Sequence, residues 1–243
     1  MGKDIKYFFS FFFLILLSSL LYAKNIATIP EASGICYLPH VKQLIVVNDE
    51  GWVYKIAPNG KILFKKYLGS YDFEGVCFDK KSNKLLVAVE NKNSIFILNS
   101  KTFQIEKKIP IKKKYKKKTI LTKVKKRGIE AITIYKGNIY LSKQDGVVFK
   151  INGTSKKKAT ITKIYKHGYK DIAGLCFYKN ELYMLNDKTN ALIHYDLKKN
   201  KTLQVIQLEK SAQEGLCFDK THMYIADDNG NILKYKIKSL GLQ

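Results

Sequence analysis

The segment Asp72-Phe-Glu-Gly-Val-Cys-Phe78 has four counterparts in the 243-residue chain, and this repetition determines the fold class. The counterparts are Glu31-Ala-Ser-Gly-Ile-Cys-Tyr37, Gly128-Ile-Glu-Ala-Ile-Thr-Ile134, Asp171-Ile-Ala-Gly-Leu-Cys-Phe177 and Ala212-Gln-Glu-Gly-Leu-Cys-Phe218. Their Cys or Thr positions follow one another at intervals of 41, 56, 43 and 41 residues. Such a period is typical of repeat architectures, and the longer interval indicates an insertion.

Each repeat predicts four short strands. The repeated segment is the first, and in the first repeat Gln43–Val47, Trp52–Ile56 and Lys61–Tyr67 follow it. Four strands per roughly 40 residues, repeated five times, predict an all-β, five-bladed β-propeller. The last repeat has only three strands, so we expect Ile26–Ile29 to complete that blade and close the ring, which removes exposed sheet edges. The alternative is an open sandwich of similar strands.

The N-terminus has the pattern of an export signal. Lys3 and Lys6 precede an apolar run over Tyr7–Tyr22, and Ala23 offers a small residue for cleavage. We predict a signal peptide over 1–23, or alternatively an uncleaved anchor, followed by a single propeller domain over 24–243. The protein is then exported, and is either periplasmic or attached to the outer side of the inner membrane.

The four cysteines occupy one column of the repeat, at Cys36, Cys77, Cys176 and Cys217. By the symmetry of a propeller they point in the same rotational sense, toward the next blade. A disulfide instead needs Cα atoms within about 7 Å and converging Cβ vectors. We therefore predict four free thiols that pack as small apolar residues between blades.

Acidic residues gather on one face of the predicted propeller, in the turn that enters each first strand and in the turn between the second and third strands. Carboxylates brought together repel unless protons or a cation neutralise them. Oxygen ligands without His or Cys suit Ca²⁺. The sequence thus predicts a calcium site at the channel mouth or, more simply, ordinary turn residues. The candidate ligands are Glu31, Asn48, Asp49, Glu74, Glu130, Asp187 and Glu214.

A basic insertion accounts for the longer interval. It runs from Pro110 to Arg127 and contains ten basic residues and no acidic residue. It is either a solvated loop or a surface for an anionic partner, so an anionic membrane surface is a candidate partner of the 110–127 loop.

The residue types set limits on the function. The net charge is +24, yet Arg127 is the only arginine, and nucleic-acid-binding proteins normally use arginine for phosphate and guanine contacts. We therefore expect no nucleic-acid partner. Candidate contacts for an anionic small molecule or envelope component at the mouth are Arg127, Lys143 and His167, and His167 also fits a solvated loop. The sequence has no motif of a serine hydrolase, zinc protease or phosphate-binding loop, so an enzyme would use a metal-activated water.

The motifs of the first two repeats carry a family resemblance. The segment Glu31–Tyr37, followed by Leu44-Ile-Val-Val-Asn-Asp-Glu-Gly51 and Asp72-Phe-Glu-Gly-Val76, resembles the SdiA-regulated, YjiK-like family of bacterial envelope proteins. The resemblance implies a periplasmic or membrane-attached propeller that is linked with calcium. By the family pattern, the matching positions are Glu31, Asn48, Asp49, Glu74, Glu130 and Glu214. Ala131 and Ala173 depart from it.

Three hypotheses follow. The first is an exported, monomeric, calcium-binding propeller that acts as a binding module of the cell envelope. The second is a calcium-dependent hydrolase of phosphate esters or lactones that uses the same carboxylates. The third is a structural or protein-interaction propeller without a site.

Overall fold

Five four-stranded antiparallel sheets make up the fold. The computed structural model describes residues 23–122 and 128–242. The first strand of each sheet contacts the first strand of the next, and the fifth contacts the first, so the sheets form a closed ring. The predicted all-β, five-bladed β-propeller is confirmed. Within the described ranges, no helix has both the length and the apolar character needed to cross a membrane.

The strands follow the repeat in chain order. Strand β1 (Lys24–Thr28) precedes blade 1, which consists of β2 (Ala32–Leu38), β3 (Gln43–Asn48), β4 (Trp52–Ile56) and β5 (Ile62–Tyr67). Blade 2 consists of β6 (Phe73–Asp79), β7 (Lys84–Val89), β8 (Ser94–Asn99) and β9 (Ile105–Pro110), with a 3₁₀ turn at Glu90–Lys92. The basic insertion adds a separate hairpin of β10 (Lys114–Tyr115) and β11 (Lys118–Thr119).

The remaining blades repeat the same order. Blade 3 consists of β12 (Ile129–Tyr135), β13 (Asn138–Lys143), β14 (Val148–Asn152) and β15 (Thr160–Tyr165). Blade 4 consists of β16 (Ile172–Tyr178), β17 (Glu181–Asn186), β18 (Ala191–Asp196) and β19 (Lys201–Gln207). Blade 5 contains β20 (Gln213–Phe218), β21 (His222–Asp227) and β22 (Asn231–Lys236), and a 3₁₀ helix at Ile237–Leu240 follows.

Strand β1 is the outer strand of the fifth sheet. It pairs antiparallel with β22, and the sheet has the order β1-β22-β21-β20. The sequence places this segment at Ile26–Ile29, slightly later than the observed strand. Just after the strand, the Ile29 amide donates a hydrogen bond to the Gly230 carbonyl at 2.7 Å, and the Ile29 side chain is fully buried between blades 5 and 1. Of the predicted signal peptide, only Ala23 lies within the described residues.

The cysteines lie in the apolar layers between blades. Cys36 packs with Phe73 and other core residues of blade 2, and Cys77 and Cys217 pack in the same way onto blades 3 and 1. All four thiols are unpaired, as predicted. Burial raises their pKa values, that of Cys176 to about 12, so they stay protonated and act as packing groups.

The contact of Ile29 with both blades predicts a large effect of its truncation. Ile29→Ala should lower the free energy of unfolding by about 2–5 kcal/mol, because it removes a buried side chain and leaves a cavity. The matched control is Ile62→Ala on the outer strand of blade 1, where the side chain is 45% exposed and the expected change is below about 0.5 kcal/mol. Urea unfolding measures both. Equal effects of the two substitutions would contradict a structural role for the segment after β1.

Candidate metal centre

Each inner strand bulges at the position of the repeated acidic residue. In blade 5, Gln213 pairs with Asp227 and Gly215 with the next residue of β21, Ala226, so Glu214 is left out of the ladder. A bulge of this kind bends the strand and redirects a side chain. The pairing of the other inner strands is irregular at the same place. The residues in this column are Ser33, Glu74, Glu130, Ala173 and Glu214.

The residue after each bulge is small because the inner strands meet at the axis. A Cβ atom added at Gly75 would lie 2.9 Å from the Glu130 carbonyl oxygen, and one added at Gly215 would lie 2.7 Å from the Ile35 amide nitrogen. Real Cβ atoms do not approach backbone this closely. The Glu-Gly pair of the repeat therefore has two roles. The glycine permits close packing of the ring, and the glutamate turns into the channel mouth.

The mouth is an acidic pocket of about 410 Å³. Seven of its nine lining residues are Asp or Glu, and in the part of the chain that the structure describes none of them is basic. Two columns of the repeat supply most of the lining: the bulged residues, and the first residue after each second strand. The lining residues are Ser33, Asp49, Asp72, Glu74, Glu90, Glu130, Gln144, Glu214 and Asp228.

Three carboxylates on the blade 2 side are the closest group. One oxygen each from Asp72, Glu74 and Glu90 lies within 4.8 Å of the other two. Two hydrogen bonds position Glu90: its amide donates to the Asp72 carbonyl at 3.0 Å, and its Oε1 accepts from the Gly128 amide at 2.9 Å. Calcium binds oxygens at about 2.3–2.6 Å, so three oxygens at this mutual distance can share one ion.

Burial and mutual repulsion raise the pKa values of the inner carboxyls. Burial raises the pKa of Glu74 well above its usual range, and the charges of Glu130 and Asp72 raise it further. The pKa of Glu130 rises to about 8, chiefly through burial and then through Glu90. Burial likewise raises the pKa of Glu214 well above its usual range. Without a cation, Glu130 therefore holds a proton near neutral pH.

The aspartates that follow the second strands show smaller increases in pKa from the same causes. Burial and then the neighbouring Glu31 raise the pKa of Asp49 to about 6. The pKa of Asp228 also rises to about 6, through burial and then through Asp49. One pocket thus contains carboxyls with different proton affinities, and a bound divalent cation would replace those protons.

Four of the seven predicted ligands lie together in this pocket: Asp49, Glu74, Glu130 and Glu214. The other three lie at its edge and have structural contacts. The Glu31 carbonyl accepts a hydrogen bond from the Ser33 hydroxyl at 3.1 Å. Asn48 is buried and supports its turn, with its Oδ1 accepting from the Trp52 amide at 2.8 Å. Asp187 Oδ1 accepts from the Gln213 amide at 2.9 Å.

The predicted anion contacts lie outside the pocket lining or outside the described residues. Lys143 is buried and its Nζ forms an ion pair with Asp145 Oδ2 at 2.8 Å. The half-buried His167 stacks on Tyr169 with ring centroids 5.9 Å apart, and burial lowers its pKa. Arg127 belongs to residues 123–127, which the structure does not describe, so its predicted role stays a prediction.

The sequence analysis did not assign Ser33, Asp72, Glu90, Gln144 and Asp228 to the site. A signal for three of them exists in the repeat. Glu90, Gln144 and Asp228 align with the predicted ligands Asp49 and Asp187, each one residue after a second strand. Blade 4 contributes no side chain to the pocket lining, because Ala173 occupies its bulge position and Asp187 is bonded to blade 5.

Fold and site together define a class of protein, a small β-propeller with an acidic channel mouth. The model of the SdiA-regulated family matches residues 18–227. The chain therefore belongs to the SdiA-regulated family, as its repeat motifs indicate. No curated protein matches the chain significantly.

Solved structures resemble the fold at low sequence identity. The glutaminyl cyclase of Myxococcus xanthus superposes with a TM-score of 0.67 at 11% identity, and the match covers 88% of this chain and 93% of that one. The β-propeller domain of Cps50 (Swd1) from Myceliophteria thermophila superposes with a TM-score of 0.56 at 7% identity, over 88% of this chain and 99% of that one. At these identities the likeness concerns the fold alone.

The raised pKa of Glu130 predicts a pH dependence of stability in metal-free protein. Between the usual value of 4.5 and the folded value of about 8, the folded protein binds more protons than the unfolded chain. The stabilisation from Glu130 is therefore complete below pH 4.5 and is lost as the pH rises to about 8. Thermal melts in EDTA across this range should show a midpoint that falls by at least about 2–4 °C, which corresponds to about 1 kcal/mol.

The control for this prediction is Glu130→Gln, which is neutral at every pH. The melting midpoint of the variant should fall less as the pH rises, because Gln at this position does not titrate. Other groups with shifted pKa values, such as His167 and His222, are the same in both proteins and cancel in the comparison. Parallel pH profiles of the two proteins would contradict the assigned protonation of Glu130.

Proposed function

We propose that this protein is an exported, calcium-binding β-propeller that serves as a binding module of the cell envelope. The observation that carries the proposal is a cluster of three carboxylates at the mouth of the channel, those of Asp72, Glu74 and Glu90. One oxygen of each lies within 4.8 Å of the other two. Hydrogen bonds of the Glu90 amide with the Asp72 carbonyl and of the Gly128 amide with Glu90 Oε1 favour this close arrangement, in which the carboxylates repel one another. A bound cation relieves this repulsion.

The chemistry of the lining favours calcium. The lining residues that could ligate a metal offer only oxygen: carboxylates, the Gln144 amide and the Ser33 hydroxyl. Zinc and copper prefer sites with His or Cys, whereas Ca²⁺ takes about six to eight oxygen ligands in a flexible arrangement. A pocket of about 410 Å³ leaves room for water and for a ligand group beside the ion.

The cation also gives the mouth a way to bind an anion. An acidic pocket repels anionic molecules, but a calcium ion among the carboxylates offers open coordination positions to a phosphate or carboxylate group. The envelope role rests on the export signal of the sequence and on the family resemblance. In this proposal the propeller binds its ligand without converting it.

A calcium-dependent hydrolase is the second candidate, and the observation that favours it is the position of the Glu130 carboxyl in the lining of the mouth. A carboxyl with a pKa of about 8 can exchange a proton near neutral pH, which suits a general acid or base beside a metal-bound water.

Calcium should raise the thermal stability of the protein, and Glu74→Gln should abolish most of that rise. At 100 times its dissociation constant, calcium adds about 2.7 kcal/mol, which raises the melting midpoint by roughly 5–10 °C. In EDTA the variant should be at least as stable as the wild type, because Gln resembles the protonated Glu74 and removes a repelling charge. Melts of both proteins in EDTA, Ca²⁺ and Mg²⁺ measure these changes.

Glu209→Gln is the matched control. Glu209 is exposed and does not line the mouth, so this variant should keep the full response to calcium. The absence of a shift with any divalent cation, or the same loss of response in both variants, would refute the calcium site.

Turnover separates the two candidates. With calcium present, the binding module should release no product from phosphate monoesters or lactones above the background of the Glu130→Gln variant. Calcium-dependent turnover that disappears in Glu130→Gln, while calcium still stabilises that variant, would replace the binding module with the hydrolase.

A further inference from the structure

A groove of about 860 Å³ lies on the rim of the propeller, away from the acidic mouth. Three parts of the chain form it: the β10–β11 hairpin, the end of β15 in blade 3, and the β18–β19 connection in blade 4. Its volume falls in the range of about 300–1,000 Å³ that is typical of ligand sites.

The floor of the groove is apolar and partly open to solvent. Tyr115 and Ile120 come from the hairpin region, Ile164 from β15 and Leu197 from blade 4, and all four side chains are half-buried. Tyr165 of β15 also lines the groove and is buried, so three of the five apolar or aromatic side chains of the floor are aliphatic. A mostly aliphatic floor suits a flexible hydrocarbon chain.

The rim of the groove is formed by lysines, and in the described part of the chain no acidic residue lines it. Several of the amines lie close to the floor. Lys163 Nζ is 4.7 Å from the centroid of the Tyr165 ring, and Lys116 Nζ is 5.7 Å from that of Tyr115. The six rim lysines are Lys116, Lys117, Lys118, Lys163, Lys166 and Lys198.

We propose that this groove binds an anionic phospholipid of a bilayer, with its acyl chain on the apolar floor and its phosphate among the lysines. The lysines match the charge of an anionic headgroup, and the apolar floor matches an acyl chain. A simple anion would leave the floor exposed, and a neutral lipid would leave six ammonium groups without a counter-charge. The groove thus gives the basic insertion a defined lipid site that includes lysines of two blades.

The proposal is independent of the acidic mouth. The two pockets have no lining residue in common, so lipid binding in EDTA should equal lipid binding in calcium. A failure of the calcium site would leave this proposal intact, and the converse also holds.

The test is native mass spectrometry of the full chain in a neutral detergent with EDTA, titrated with phosphatidylglycerol or with phosphatidylcholine of the same acyl chains. We expect at least about tenfold tighter binding of the anionic lipid. The triple variant Lys163→Glu, Lys166→Glu, Lys198→Glu should lose at least about tenfold in that affinity. Hydrogen exchange should show lipid-dependent protection at 114–120 and 160–166.

The matched control exchanges three exposed lysines of blades 1 and 2 that do not line the groove: Lys61→Glu, Lys80→Glu and Lys101→Glu. It has the same net charge as the test variant and should bind phosphatidylglycerol like the wild type. Equal losses in the two variants would show that net charge alone attracts the lipid and would overturn the site.

Competition identifies the chemistry that the groove recognises. Glycerol phosphate, the headgroup without acyl chains, and polyglutamate, an acidic polymer, should each displace the lipid poorly. Displacement by glycerol phosphate at lipid concentrations would make the groove a small-anion site. Displacement by polyglutamate would make it a site for acidic peptides, and either result would overturn the proposal.

Discussion

The close approach of the five inner strands at the axis is the constraint on which the site depends. At Gly75 and Gly215 not even a methyl group fits where the strands meet, and apart from Ala131 this column contains only glycine. The bulge next to it takes the preceding residue out of the ladder. Packing at the axis and the acidic mouth are therefore two results of one local motif, Glu-Gly followed by an apolar residue.

The rigid ring explains why the carboxyl groups stay in an unfavourable arrangement. Their repulsion is opposed by the apolar layers between blades, in which residues such as Phe73, Leu44 and Met223 are fully buried. Glu74, Glu130 and Glu214 belong to the packed inner strands, and protonation of these buried carboxyls lowers their mutual repulsion. The raised pKa values of Glu74, Glu130 and Glu214 express this balance in the metal-free protein.

The repeat allowed the number of blades, the column of unpaired thiols and the position of the mouth to be predicted. The contacts of individual side chains could not be predicted from the repeat. Asn48 is in an acidic turn, yet its side chain supports that turn. Lys143 forms an ion pair with Asp145 and His167 stacks on Tyr169, and neither residue lines the pocket. The lysine-rimmed groove joins three segments that are distant in sequence, so no periodic pattern indicates it.

Within a net charge of +24, the described part of the chain separates its charges, with lysines along the groove on the rim and carboxylates around the mouth. The groove and the mouth have no lining residue in common, and screening by salt reduces interactions between exposed charges that lie more than about 8–10 Å apart. In our proposals each region recognises its partner by its own local charge, the rim an anionic lipid and the mouth a cation. On the same proposals, an anionic ligand attracted to the rim would be repelled by the carboxylates of the mouth until calcium is bound among them.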